Sequence, residues 1–94
     1  MSVLVVGLSH RSAPVSLLED VSRGLGDTTE VLTELLAGAV GEAVVLSTCN
    51  RVEVYADTEG FHPGVEAVTD LLLRRADVTL EELSKHLYVH WEGQ

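Results

Sequence analysis

The chain carries one thiol, Cys49, placed between Thr48 and the polar pair Asn50-Arg51 just past the end of the apolar run Ala43-Val44-Val45-Leu46. That position is turn-like rather than interior to a strand. Arg51 supplies a fixed cation close by, and a cation favours thiolate over thiol, the species that attacks a carbonyl. Backbone amides of a tight turn, together with the Thr48 and Asn50 side chains, offer donors for a developing oxyanion. The competing reading makes Cys49 a small hydrophobe that closes a strand, the usual role of a free cysteine. Spacing alone does not separate the two. His10 is a second group able to do chemistry, as a proton shuttle or a phosphate contact, against the plainer reading of His10-Arg11 as a solvated surface pair.

Other reactive residue types fall out of the count. His62, His86 and His90 lack metal-ligand spacing with any cysteine or carboxylate pair, so no metal site is expected. Glu19-Asp20 and Glu81-Glu82 read as solvated helix faces, and Arg74-Arg75 suit the negative end of a helix. Gly24-Leu25-Gly26 is the only G-x-G; it follows a helix instead of opening one after a strand, so it is no dinucleotide fingerprint.

Residues 2–8 form a continuous β-branched and aliphatic run, the pattern of a strand buried on both faces. Pro14, with Ser12 as cap, opens a helix whose Val15, Leu18 and Val21 recur at three-residue spacing until near Gly24. Asp27 and Glu30 make a capping box for a second helix with Val31, Leu32, Leu35, Leu36 and Ala39 on its apolar stripe. Strands over 43–46 and 52–56 pair as a hairpin, the latter alternating between a wet and a dry face. Pro63 opens a further helix, Thr79 with Glu82 caps a short one, and residues 87–91 return to strand character.

This order, two split β-α-β units in series, predicts an α+β fold: a ferredoxin-like α/β sandwich with a four-stranded antiparallel sheet and helices on one face. In that topology the first two strands run parallel with the third between them. The loop Ser9-His10-Arg11 and the turn Thr48-Cys49-Asn50-Arg51 then lie within one or two strand spacings, roughly 5–10 Å. The polar residues of two loops converge at one sheet edge.

Ninety-four residues are one domain's worth of chain, here 1–94. Fifteen acidic against six basic residues give a formal charge of -9, which excludes a grip on nucleic acid by bulk charge. A single cysteine excludes a disulfide framework and paired-thiolate zinc sites, and suits a cytoplasmic, reducing environment. The apolar start lacks a basic leader and is too short to cross a bilayer, so no membrane role is expected.

At Gly7-Leu8-Ser9-His10-Arg11-Ser12-Ala13-Pro14-Val15 and at Leu46-Ser47-Thr48-Cys49-Asn50-Arg51-Val52-Glu53-Val54-Tyr55 the sequence closely resembles the N-terminal catalytic domain of glutamyl-tRNA reductase. With the closing Leu87-Tyr88-Val89, the resemblance spans essentially the whole chain. It implies a ferredoxin-like fold and a part in the NADPH-dependent reduction of glutamyl-tRNA to glutamate-1-semialdehyde, the first committed step of tetrapyrrole (porphyrin, 5-aminolevulinate) synthesis. By that resemblance Cys49 matches the nucleophile that forms a thioester with glutamate. Thr48, Asn50 and Arg51 fall on positions lining the glutamate pocket, and Ser9, His10 and Arg11 match the neighbouring substrate-binding loop. An arginine grips a carboxylate by a bidentate pair.

The chain departs from the family pattern at Leu18, where many members carry an arginine. The family polypeptide also continues into the rest of the catalytic domain, an NADPH-binding domain and a helical dimerisation domain. A truncated piece is therefore expected: NADPH bound elsewhere, a homodimer only in the complete enzyme, self-association of the piece through exposed apolar surface, and no reduction by the piece alone. The family's candidate catalytic histidine belongs downstream, so its role is not carried over to His86 or His90. The rival from another class is a non-catalytic ferredoxin-like ligand-binding or oligomerisation module with an inert Cys49. A third reading is a thiol hydrolase using Cys49 with His10.

Overall fold

A computed structural model of the chain describes residues 2–38 and 40–92. Eight elements follow one another: β1 (Val3–Ser9), α1 (Val15–Leu25), α2 (Thr28–Leu36), β2 (Val40–Ser47), β3 (Arg51–Thr58), α3 (Phe61–Arg75), α4 (Leu80–Ser84) and β4 (Tyr88–Glu92). The strands form one sheet in the order β2-β3-β1-β4. Every neighbouring pair is antiparallel. Because β1 and β2 both oppose β3, they run parallel to each other and end at the same sheet edge. This is the ferredoxin-like α+β sandwich that the element order predicts.

Strand period sends Leu4, Val6 and Leu8 of β1 and Val52, Val54 and Ala56 of β3 to one face, where they meet Leu17, Leu18, Val21 and Leu25 of α1 and Val68, Leu71 and Leu72 of α3 in the buried core. The alternate positions face away from the helices. Val3 is 38% exposed there, and Val5 is half-buried. So β1, expected to be buried on both faces, is fully buried on one. Its unbroken apolar run reflects a central place in the sheet, flanked by strands on both sides, rather than helices above and below.

Local signals set most helix ends. Asp27 caps α2 by accepting from the Thr29 amide at 2.9 Å, and Thr79 caps α4 by accepting from the Glu82 amide at 3.1 Å. Ser12 does not cap α1: Pro14 stands at the cap without a side-chain bond. The Ser12 hydroxyl instead accepts from the Ser9 amide at 3.0 Å, folding the loop after β1. Arg74 and Arg75, expected simply to suit a helix end, both pair with Glu34 of α2. Of the apolar stripe expected on α2, Val31 and Leu35 are buried and Leu36 is exposed; Ala39 lies outside the described residues.

One close approach fixes how α1 sits. Gly24 abuts the end of α3 so tightly that a Cβ built on it would lie 2.5 Å from the Arg75 carbonyl oxygen and 2.7 Å from the Ala76 Cα. Only glycine allows the two backbones to come that near.

Candidate active site

The β2–β3 hairpin places Cys49. Ser47 opposes Val52 at the last rung, and the turn is closed by the Thr48 amide donating to the Arg51 carbonyl at 2.8 Å. The Thr48 hydroxyl donates to the same carbonyl at 3.4 Å and accepts from the Asn50 amide at 3.2 Å. Thr48 is thus committed to shaping the turn. A hydroxyl bonded back to its own backbone in this way stabilises turn over strand.

The loop after β1 meets this turn directly, with the His10 amide donating to the Asn50 carbonyl at 2.9 Å. That loop is itself held from inside. The Ser9 carbonyl accepts from the amides of Ser12 and Ala13 at 3.0 and 2.9 Å, and the Ser9 hydroxyl accepts from the Arg11 amide at 3.2 Å. His86, just past α4, donates from Nδ1 to the Ser12 carbonyl at 2.9 Å. Ser9 therefore acts as scaffold, while His10 and Arg11 stand exposed at the loop tip.

Cys49 is exposed and free. With Thr48 it borders a groove of about 290 Å³ whose other wall is α1, through Leu18, Glu19, Ser22 and Arg23. The Ser22 and Ser47 hydroxyls share a hydrogen bond of 3.0 Å that pins α1 to the end of β2. Leu18 gives this wall a buried apolar base, while Glu19 and Arg23 line the same groove, the Arg23 guanidinium pairing with Asp20 at 3.2 Å. Sequence reasoning left Glu19 on a solvated face and did not single out Arg23. The available signal was spacing: Leu18 with Ser22, and Glu19 with Arg23, are four apart and share a helix face. Which way that face points depends on tertiary packing.

Arg51 is turned elsewhere. It is not among the residues lining the groove; its Nη1 lies 3.8 Å from Glu53 Oε1 on the sheet face away from the helices. Glu53, two residues along the alternating strand, was expected on the wet face, yet it is only 7% exposed. Its carboxylate accepts from the Tyr55 hydroxyl at 2.8 Å and from the Tyr88 hydroxyl of β4 at 2.5 Å. Burial alone would raise the Glu53 pKa; the Tyr88 and Tyr55 hydrogen bonds, aided by the charges of Arg51 and His90, outweigh it and hold the carboxyl below its ordinary value.

The tyrosines feel the reverse effect. Burial, then the hydrogen bond to Glu53 and its charge, push Tyr88 up to about 12, and the Glu53 bond raises Tyr55 as well. Both tyrosines of the chain should therefore ionise above the free phenol value of about 10 in an absorbance titration. A neutral Tyr88 contributes stability present below about pH 10 and lost as pH rises through about 12, so alkaline unfolding should follow its ionisation. Two equivalent tyrosines titrating at about 10 would contradict the buried cluster.

Another recess, about 460 Å³, lies toward the opposite end of the sheet and is lined by Val3, Leu36, Val44 and Tyr55 together with Glu42 and Asp57. It holds no thiol, whereas the groove beside α1 does. Among the described residues no three His, Cys, Asp or Glu side chains gather as metal ligands, and no helix is long and apolar enough to cross a membrane.

Comparison with known proteins identifies the family. The family model described as "Glutamyl-tRNAGlu reductase, N-terminal domain" matches residues 6–94. The glutamyl-tRNA reductase of Thermobifida fusca is 55% identical over 93 residues, covering 98% of this chain and 20% of its own length. That of Frankia alni is 56% identical over 95 residues, covering 100% of this chain and again 20% of the relative. The chain thus spans about a fifth of the length of these relatives. Among solved structures, glutamyl-tRNA reductase from Methanopyrus kandleri superposes with a TM-score of 0.57 at 24% identity, over 93% of this chain and 18% of that one. That likeness shows a shared fold.

Proposed function

The chain belongs to the glutamyl-tRNA reductase family through that family's N-terminal domain, and from this we propose that it supplies the thiol and the glutamate-recognition surface for reducing glutamyl-tRNA to glutamate-1-semialdehyde in tetrapyrrole synthesis. The observation that carries the reading is an exposed Cys49 on a rigid hairpin turn, facing a groove with room for an acyl group. As thiolate, its Sγ attacks the ester carbonyl that joins glutamate to the terminal ribose. The tetrahedral intermediate collapses with cleavage of the carbon–oxygen ester bond, the ribose oxygen leaves with the bonding pair and takes a proton from water, and a glutamyl thioester remains on Cys49.

Turn amides near Cys49 serve the developing oxyanion; Arg51, two residues along the turn from Cys49 and outside the groove, serves the carboxylate of a glutamate side chain that extends from the thiol across the turn. His10, Arg11 and Asn50 flank the entry to the turn and contact the incoming aminoacyl end. Ser9 and Thr48 hold those neighbours in place.

The residues here do not seat NADPH. The turn from β1 into α1 contains no glycine, and Pro14 at the cap has no amide to donate. Gly24 and Gly26 lie at the C-terminal end of α1, where the helix dipole repels phosphate. Hydride delivery, the grip on the tRNA body and the subunit contacts of a homodimer are accordingly assigned to other parts of the reductase, working in a reducing cytoplasm where the thiol stays free. Titration calorimetry of the 94-residue chain with NADPH should show no binding; micromolar binding would overturn this division of labour.

The reading is tested by incubating the reductase that carries these residues with glutamyl-tRNA labelled in glutamate, without reductant. Label should remain with denatured protein and be released by hydroxylamine. Recovery of all label as glutamyl-tRNA or free glutamate, with Cys49 still alkylatable throughout, would favour the non-catalytic module.

A further inference from the structure

The uncovered face of the sheet holds a buried carboxylate that the thiol step does not use. Arg51, Glu53 and Tyr55 share that face by strand period. Glu53 opposes Gly7 on β1, and Gly7 in turn opposes Tyr88 on β4. With no side chain on the middle strand, Glu53 and Tyr88 reach each other across it. A Cβ on Gly7 would lie 2.8 Å from Glu53 Cγ and 3.2 Å from Tyr88 Cζ. Three strands thus cooperate to hold one carboxylate, which a sheet face exposed to water does not need for stability: burying a charge is costly unless its partners compensate.

What the held carboxylate faces is Arg51. Among the described residues Glu53 is the only ion-pair partner of Arg51, at 3.8 Å, with the Arg51 side chain 52% exposed and that of Glu53 9%. The distance is that of an ion pair without a hydrogen bond, so the guanidinium is drawn toward Glu53 while its donors stay available. Both Glu53 oxygens are already occupied by tyrosine hydroxyls, so the carboxylate cannot swing out to follow the arginine. A fixed anion beside a half-exposed cation sets the cation's direction.

We infer that Glu53 is a positioning residue, which aims the Arg51 guanidinium so that its free edge receives the side-chain carboxylate of the glutamyl substrate. This rests on the reading of Arg51 as the glutamate grip given above. Glu53 touches no substrate atom; Tyr55 and Tyr88 keep it rigid, and Gly7 leaves room for the contact.

Glu53→Gln keeps the shape and an acceptor for the tyrosines but removes the charge. In the reductase that carries these residues, acylation of Cys49 should fall about tenfold with glutamyl-tRNA, the scale of losing one charge-assisted partner. With the same tRNA charged with glutamine, which offers Arg51 no carboxylate, the rate should be unchanged. In an Arg51→Ala background Glu53→Gln should have no further effect. An equal loss with both acyl groups, or none with either, would overturn the inference.

NMR of the guanidinium group in the 94-residue chain separates this from failure of the thiol reading. The Arg51 Nε–H signal should sharpen and shift between Glu53→Gln and the unmodified chain if Glu53 restrains it. An identical signal in both would overturn the positioning role even where Cys49 acylates. Failure of wild-type Cys49 to acylate would instead strike the proposed function.

Discussion

Cys49→Ser should abolish semialdehyde formation by the reductase that carries these residues, with turnover falling on the order of 10⁶-fold, the scale seen when an acyl-transfer nucleophile is removed. Serine keeps the size and the hydrogen-bonding capacity of the side chain, but its hydroxyl is hardly ionised near neutral pH, so the attacking species disappears. The change should leave the fold alone. Cys49 is exposed on a turn whose bonds run through Thr48, Asn50 and Arg51, and surface substitutions away from packed features shift stability within about 0.5 kcal/mol. Circular dichroism and thermal unfolding should therefore superpose on wild type. Near-normal turnover in Cys49→Ser would rule out the covalent route and leave Cys49 as an inert residue of the turn.

Gly24→Ala should be the most damaging single methyl. The Cβ would strike backbone atoms, the Arg75 carbonyl oxygen and the Ala76 Cα, which cannot rotate aside as a side chain can. Overpacking of this kind costs about 1–3 kcal/mol, occasionally more, against a gain of up to about 1 kcal/mol from replacing a helical glycine. The net loss of about 1 kcal/mol, more where the backbones cannot part, corresponds to a melting temperature lower by roughly 4–8 °C in a chain of this size. The consequence reaches the site, because α1 carries Leu18, Glu19, Ser22 and Arg23 along the Cys49 groove. Moving α1 off α3 strains the Ser22–Ser47 bond that joins it to the hairpin. Thermal denaturation checks the first effect; an unchanged melting temperature would show that the α1–α3 contact has slack.

The hairpin, the order of the elements and the meeting of two loops at one edge were legible in the sequence because they follow from local signals. Strand alternation, turn residues and helix caps at Asp27 and Thr79 are written within a few neighbouring positions. What was not legible depends on partners distant along the chain. The burial of Glu53 needs Gly7 and Tyr88 brought level with it by two strand registers, and nothing in Val52-Glu53-Val54 announces it. Arg74 and Arg75 look like a helix end until Glu34 is placed beside them by packing. The α1 wall of the Cys49 groove was missed for the same reason: periodicity tells which residues share a face, whereas the neighbour that face meets is chosen by the whole fold.

The most direct measurement is peptide mapping by mass spectrometry of the reductase quenched in acid after mixing with glutamyl-tRNA in the absence of reductant. The glutamyl mass should reside on the sulfur of Cys49 and vanish on treatment with a strong nucleophile. A glutamyl group found on any other residue, or a bare Cys49 in enzyme that goes on to form semialdehyde, would contradict it.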